Sequence, residues 1–286
     1  MPYYVTPKGL AEEIWYWYLN GKNRLGFPKE YERQMHAIRA LHHVLPGDHR
    51  CLECAVPLAG VGAWIMKRFG IHPSMMTPRL CNSCESLILA EEAGAEVELS
   101  LLFADIRGST PLAEQKGVVE YKNFIQRFYK AAAGVLIQHY ALVNRLVGDQ
   151  VIGLFVQRFA GADHAGVAIE AAFDVLRATG HTDPAGPWAP VGIGIHTGTA
   201  YVGAVGSRDG VNEIGVLGNP ANVTARLSSA AAEGEVLISE EAAALAGITD
   251  RKLERRSLTL KGINKPVSAT VMTIADQPPS NVIPLE

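Results

Sequence analysis

VELSLLFADI, residues 97–106, decides how the larger part of this chain folds. The run is almost wholly apolar and ends on a carboxylate, Asp105, so it reads as a buried strand whose last residues reach the surface. From there the texture is short apolar runs alternating with long amphipathic segments. Val118–Gln138 carries Tyr121, Phe124, Phe128, Ala132 and Val135 at the spacing of one helix face. ALVNRLVGDQVIGLFV, residues 141–156, reads as strand, tight Gly148-Asp149 turn, strand, and a helix is expected over Ala165–Ala178. VGIGIHTGTAYVGAV, residues 191–205, predicts two more strands with Thr197-Gly198 at the turn between them. A helix starting near Pro220, a buried strand in GEVLIS (234–239) and a closing hairpin in LTLKGINKPVSATVMTI (258–274) follow. Strands and helices that interleave, with hairpins between some strands, predict an α+β sandwich with a mixed, mostly antiparallel sheet.

Upstream the pattern differs. Glu30–Leu45 is a predicted helix with Tyr31, Met35, Ile38, Leu41 and Leu45 on one face, and an irregular Gly- and Pro-containing stretch follows it. The run CESLILAEEAGAEVEL, residues 84–99, reads as a short helical connector. The expected organisation is therefore a small helical, zinc-ribbon-like module over 1–95, a larger domain over 96–275, and a tail over 276–286. No repeat or low-complexity tract argues for an array.

Composition excludes several function classes. The chain has 286 residues, 48% of them hydrophobic, enough for two cores, and its 26 basic and 29 acidic residues nearly cancel. No global field draws it to nucleic acid or to an anionic membrane, and no apolar run approaches the ~20 residues of a membrane span. The start, MPYYVTPKGLAEEIWYWYLNGK, has no basic region followed by an apolar one, so a soluble cytoplasmic protein is expected.

All four cysteines fall in two CxxC pairs, Cys51/Cys54 and Cys81/Cys84, with 26 residues between the pairs. Four thiolates so spaced predict a closed tetrahedral Zn2+ site, with an iron–sulfur cluster as the alternative and reduced buried thiols as the third reading. In the larger domain, Asp105 and Asp149 stand at a strand end and a hairpin turn. Such a carboxylate pair suits magnesium held together with substrate phosphates, although a turn also favours Asp149 and a helix N-cap Asp105.

Taken together these segments resemble the class III adenylate and guanylate (nucleotidyl) cyclases, over about residues 97–274. FADIRGST is similar to that family's first metal loop, with Asp105 as ligand and the Ile106 carbonyl assisting. The Gly148-Asp149 hairpin is similar to the one that carries the second ligand. GNPANVTARL resembles the helix bearing the transition-state pair, which falls on Asn222 and Arg226, and LKG puts a phosphate-binding lysine at Lys261. The resemblance implies a ferredoxin-like sandwich and two Mg2+ (or Mn2+) ions per site. It also implies triphosphate binding by Arg107, Gly108, Ser109 and Thr110 at a loop entering a helix, and a homodimer whose composite sites take the aspartates from one chain and Asn222 and Arg226 from the other. The implied reaction is conversion of a nucleoside triphosphate, ATP by default, to a 3′,5′-cyclic monophosphate and pyrophosphate.

Base reading departs from the family pattern. Adenylate cyclases place a lysine and an aspartate or threonine where this chain has Arg145 and Gly215, and neither residue matches guanylate cyclases. A guanidinium fork suits carbonyl acceptors, which keeps UTP, CTP or GTP open as the substrate. A nucleotide-sensing domain without turnover is the rival function, and the near-neutral charge argues against a zinc-ribbon nucleic-acid binder.

Overall fold

The computed structural model describes residues 8–22, 29–47, 49–74, 77–90, 93–206, 212–259 and 266–277. In chain order the elements begin with α1 (Lys8–Asn20), α2 (Lys29–His43), α3 (Gly60–Lys67), α4 (Asn82–Leu89), β1 (Gly94–Ile106), α5 (Ser109–Gln115) and α6 (Val118–Gln138). They continue with β2 (Leu142–Val147), β3 (Gln150–Val156), α7 (Gln157–Ala160), α8 (His164–Ala178), β4 (Val191–Gly206) and β5 (Asn212–Leu217). The last are α9 (Asn219–Ala230), β6 (Val236–Ser239), α10 (Glu240–Leu245), β7 (Glu254–Leu258) and β8 (Val267–Met272). Two compact units result: Met1–Val97 with Gln157–Phe159 and Tyr201–Leu217, and Glu98–Val156 with Ala160–Ala200 and Gly218–Glu286.

The sheet runs β2-β3-β1-β4-β6-β8-β7, with β5 paired to β4 off that path. Neighbours β1/β3, β2/β3, β6/β8 and β7/β8 are antiparallel, and β4/β6 is parallel. The expected α+β fold with a mixed, mostly antiparallel sheet is therefore the fold observed, and β1-α6-β2-β3-α8-β4 traces its ferredoxin-like core.

Strand alternation distributes side chains to two faces. Val236 and Ile238 join Phe128, Leu136, Phe155 and Phe173 in the main core under α6 and α8. Leu237, between them, packs with Val223 and Leu227 of α9. Each fully buried Phe or Leu stabilises the unit by roughly 1.5–3 kcal/mol. On α6 the deepest stripe is Ile125, Phe128, Ala132 and Leu136. The predicted Tyr121, Phe124 and Val135 flank it, half-buried.

The helical connector expected over 84–99 ends at Leu89, and residues 94–99 already belong to β1, whose apolar alternation outweighs the helical spacing. A second expectation also fails. Residues 191–206 form a single strand, β4, with no turn at Thr197-Gly198. Thr197 is buried and its hydroxyl lies 2.6 Å from that of Ser100. Gly198 lies close under Pro220: a Cβ would stand 3.0 Å from its ring and crowd it. At Gly194 a Cβ would meet the Ser228 amide nitrogen at 2.3 Å, so glycine lets the α9 backbone lie directly on the strand.

In the other unit Trp15 and Tyr18 are fully buried and stack edge-on at 5.6 Å between ring centroids. The predicted apolar stripe of α2 is not covered: Ile38 is 40% exposed and Leu41 69%. Polar residues make the helix's contacts instead. Arg39 Nη1 donates to the carbonyls of Leu52 (2.8 Å) and Glu53 (2.7 Å), and His42 Nδ1 to that of Cys54 (2.7 Å). Among the described residues no helix is long and apolar enough to cross a membrane. Of the tail expected over 276–286, residues beyond 277 lie outside the described ones; Ile274–Asp276 forms a short 3-10 turn.

Candidate active site and four-cysteine centre

The β1–β3 register brings the two predicted aspartates together. Asp105 pairs with Gln150, the neighbour of Asp149, and the Ile106 amide donates to the Asp149 carbonyl at 3.3 Å. The hairpin between β2 and β3 turns at Gly148, whose φ of 63° is the left-handed conformation glycine adopts without strain. Tyr129 on α6 donates its hydroxyl to the Gly148 carbonyl and pins that turn. Burial raises the Asp105 carboxyl to about 6; the Arg107 guanidinium opposes the rise and the negative charge of Asp149 adds to it. Two carboxylates in mutual repulsion, partly shielded from water, make a hard-oxygen donor set suited to a divalent cation.

After β1 the chain passes Gly108, at φ 67°, into α5. The Arg107 amide is already engaged, donating to the Pro190 carbonyl at 2.8 Å. The amides of Gly108, Ser109 and Thr110 open α5, where no intrahelical carbonyl reaches them. A cavity of about 500 Å³ adjoins this loop, bordered by Ser109, Thr110, Tyr121, Lys122, Tyr129 and Asp149.

Asn222 and Arg226 project from the exposed side of α9, one turn apart, while Val223 and Leu227 hold its other side to the sheet. Neither side chain makes a hydrogen bond or ion pair among the described residues. Arg145 lies in β2 at the register shift between Val143 and Leu146, and its side chain is outside the described residues, as is Lys261. Gly215 is on β5, opposite Gly203. A Cβ there would stand 2.3 Å from Cγ2 of Val205.

In the other unit the four cysteines converge. All are buried and their sulfurs lie within 4.8 Å of one another. The Sγ atoms of Cys54 and Cys81 are 3.7 Å apart. Ligands ~2.3 Å from a tetrahedral zinc stand ~3.8 Å from one another, so the spacing fits a single ion; a cluster core needs its sulfurs on a wider tetrahedron. The Cys81 amide points to Cys51 Sγ and the Cys84 amide to Cys81 Sγ, each at 3.4 Å, contacts that favour thiolates. Hydrogen bonds from its three neighbours push the Cys51 thiol down, and the same crowding pushes Cys84 up. Sequence reasoning missed the residues that frame this centre. Beside Arg39 and His42, Arg50 binds the carbonyls of His42, Leu45 and Ala55 at 2.6–3.0 Å, and Arg158 pairs with Glu53 at 3.1 Å. Arg158 also lies 3.7 Å over the Trp17 ring. Nothing local in sequence links residue 158 to residue 53.

The family described as "Adenylate and Guanylate cyclase catalytic domain" matches residues 92–273. An adenylate cyclase of Anabaena cylindrica is 28% identical over 141 residues, 47% of this chain and 28% of its own. The guanylyl cyclase Cya2 superposes with a TM-score of 0.56 at 25% identity, over 62% of this chain and 92% of its own. The adenylyl cyclase CyaB from P. aeruginosa gives 0.54 at 24% identity, over 65% and 99%, a likeness of fold. The chain spans about a third of the length of the curated relatives it matches.

Proposed function

The chain belongs to the adenylate and guanylate cyclase catalytic domain family, and on that premise we propose that it cyclises a nucleoside triphosphate, ATP by default, to the 3′,5′-cyclic monophosphate. The reading is carried by the adjacency of Asp105 and Asp149 on paired strands beside a loop with unspent amides. In the reaction the ribose 3′-hydroxyl gives up its proton to solvent, its oxygen bonds to the α-phosphorus, the bond from that phosphorus to the bridging oxygen breaks, and pyrophosphate leaves. Asp105 and Asp149, with the Ile106 carbonyl, would hold two Mg2+ or Mn2+ ions, which supply a lowered 3′-hydroxyl pKa and neutralise charge on the leaving group.

The remaining roles belong to this chain's own residues. The amides of Gly108, Ser109 and Thr110 cradle the phosphates, and Lys261 adds a cation. Arg226 meets the charge that grows on the α-phosphate, and Asn222 orients the ribose. Exposure of both on α9 suits a homodimer in which they complete the partner's site. The catalytic domain is assigned to 96–275. Residues 1–95 form a regulatory or dimer-organising module stabilised by zinc at Cys51, Cys54, Cys81 and Cys84.

Arg145 and Gly215 leave base selection to experiment. The purified chain is incubated with ATP, GTP, CTP and UTP, each with magnesium or manganese, and cyclic product is identified by mass. Formation of 3′,5′-cyclic nucleotide from at least one supports the reading and names the base. No product from any of the four, at any metal or pH, leaves a nucleotide-sensing domain.

A further inference from the structure

Arg107 makes side-chain contacts that triphosphate binding does not require. Its Nη2 pairs with the Asp105 carboxylate, and its Nε points to the Asp105 carbonyl at 3.4 Å. From the other edge of the same plane, Nη1 donates to the carbonyls of Ser229 (3.1 Å) and Ala231 (3.4 Å). Those carbonyls close α9, the helix that bears Asn222 and Arg226. The last carbonyls of a helix lack intrahelical partners and carry the negative end of its dipole, so a guanidinium is favoured there. The Arg107 and Asp105 side chains are only 21% and 19% exposed, which lifts this pair above the near-zero worth of a surface ion pair. One planar cation thus spans the first-metal carboxylate and the end of α9.

We propose that Arg107 is a positioning residue that holds the place of a cation at Asp105 and transmits its displacement to α9. The inference rests on the reading of Asp105 as a metal ligand. A divalent ion on the carboxylate oxygen now bound by Nη2 removes that hydrogen bond. The guanidinium is a rigid fork, so freeing one edge alters the geometry of the other, and a lysine ammonium cannot span both partners. Occupancy of Asp105 therefore reaches the Asn222–Arg226 face of the same chain. Where that face serves the partner's site, filling one site alters the other.

The test uses the full chain and Mn2+ alone, without nucleotide. Manganese affinity is measured from the free-ion magnetic-resonance signal, and α9 by hydrogen exchange of its amides with and without the ion. Wild type is expected to change α9 exchange on binding Mn2+. Arg107→Ala, relieved of the internal competitor, binds the ion about tenfold tighter, the scale of one charge-assisted hydrogen bond, and shows no α9 response. Arg107→Lys keeps a competing charge and stays within about threefold of wild type, yet also loses the α9 response; if the alanine variant does not fold, this one decides. Wild-type affinity in Arg107→Ala, or α9 exchange indifferent to Mn2+ in the wild type, overturns the inference. Asp105→Asn separates the two levels. Undiminished Mn2+ binding there removes the ligand reading and this inference with it, whereas lost binding beside unaltered Arg107 variants removes only the role of Arg107.

Discussion

Replacing Gly215 by alanine should disturb the β4–β5 hairpin by an amount that Val205, diagonal to it on β4, sets. The added Cβ would lie 2.3 Å from Val205 Cγ2 and 2.9 Å from Val205 Cβ. Turning the valine about χ1 removes the first contact. The second is fixed by backbone, so the strands must separate. Overpacking of this kind costs about 1–3 kcal/mol, or roughly 2–4 °C per kcal/mol for a domain of this size. Val205 is 41% exposed, so Val205→Ala alone should cost below about 1 kcal/mol in lost burial. It takes away Cγ2 and leaves the 2.9 Å contact, so it rescues Gly215→Ala in part; Val205→Gly removes both atoms and rescues it further. Urea unfolding of the four combinations should give a coupling of about 2 kcal/mol between Gly215→Ala and Val205→Gly, with matching changes in hydrogen exchange at Ala204 and Val216. Wild-type stability and exchange in Gly215→Ala, or additive effects in the double variant, would refute the reasoning. If it holds, an acceptor for the adenine amine cannot be installed at position 215 without shrinking position 205.

Elemental analysis should find one zinc per chain and no visible charge-transfer band, with Cys84→Ser losing both the metal and amide protection in residues 49–90; a coloured protein would overturn the single-ion assignment. Asp105→Ala and Arg226→Ala should each abolish turnover, and an equimolar mixture should recover about a quarter of wild-type activity, since half the dimers are mixed and each has one intact site; inactivity despite demonstrated mixed dimers sinks the shared-site reading. The Asp105 carboxyl sits at about 6 in the fold, above its unfolded value near ~4. Its protonated form thus favours the fold at low pH, a contribution complete below that unfolded value and lost as pH rises through 6. Cation affinity has the opposite sense, and the apparent Mn2+ dissociation constant should rise about tenfold between pH 7 and pH 5; a flat profile over that range would count against Asp105 as a ligand.

Much of the fold was legible because apolar period and element length agreed. The helix predicted over Val118–Gln138 has those limits, and the Gly148 hairpin, the helix at Pro220 and the strand after Gly234 stand where expected. Legibility stopped where a residue type has two physical uses. Gly198 read as a turn former, yet it lies within β4, where a Cβ would crowd the Pro220 ring. The apolar stripe of α2 read as a core face, yet Arg39 and His42 hold that helix, through carbonyls of the cysteine knuckle. A hydrogen bond to a carbonyl leaves no trace in hydrophobic spacing.

The candidate site divides in the same way. Asp105 and Asp149 were legible because a carboxylate that ends an apolar strand is out of place there without a partner. Asn222 and Arg226 were legible only as a motif, since nothing on α9 distinguishes them from other exposed polar residues. Arg107 had been counted with the phosphate loop for its amide. The folded chain spends that amide on Pro190 and sends the guanidinium to carbonyls more than 120 residues away in sequence. No local pattern encodes that reach. It follows from two separate facts: α9 lies flat on β4 because Gly194 permits it, and the loop after Asp105 turns back at Gly108. The glycine that brings the helix down on the sheet is thus also what puts its C-terminal carbonyls within reach of the residue two positions beyond Asp105. A side chain at position 194 should therefore loosen the Arg107 contact as well as the packing.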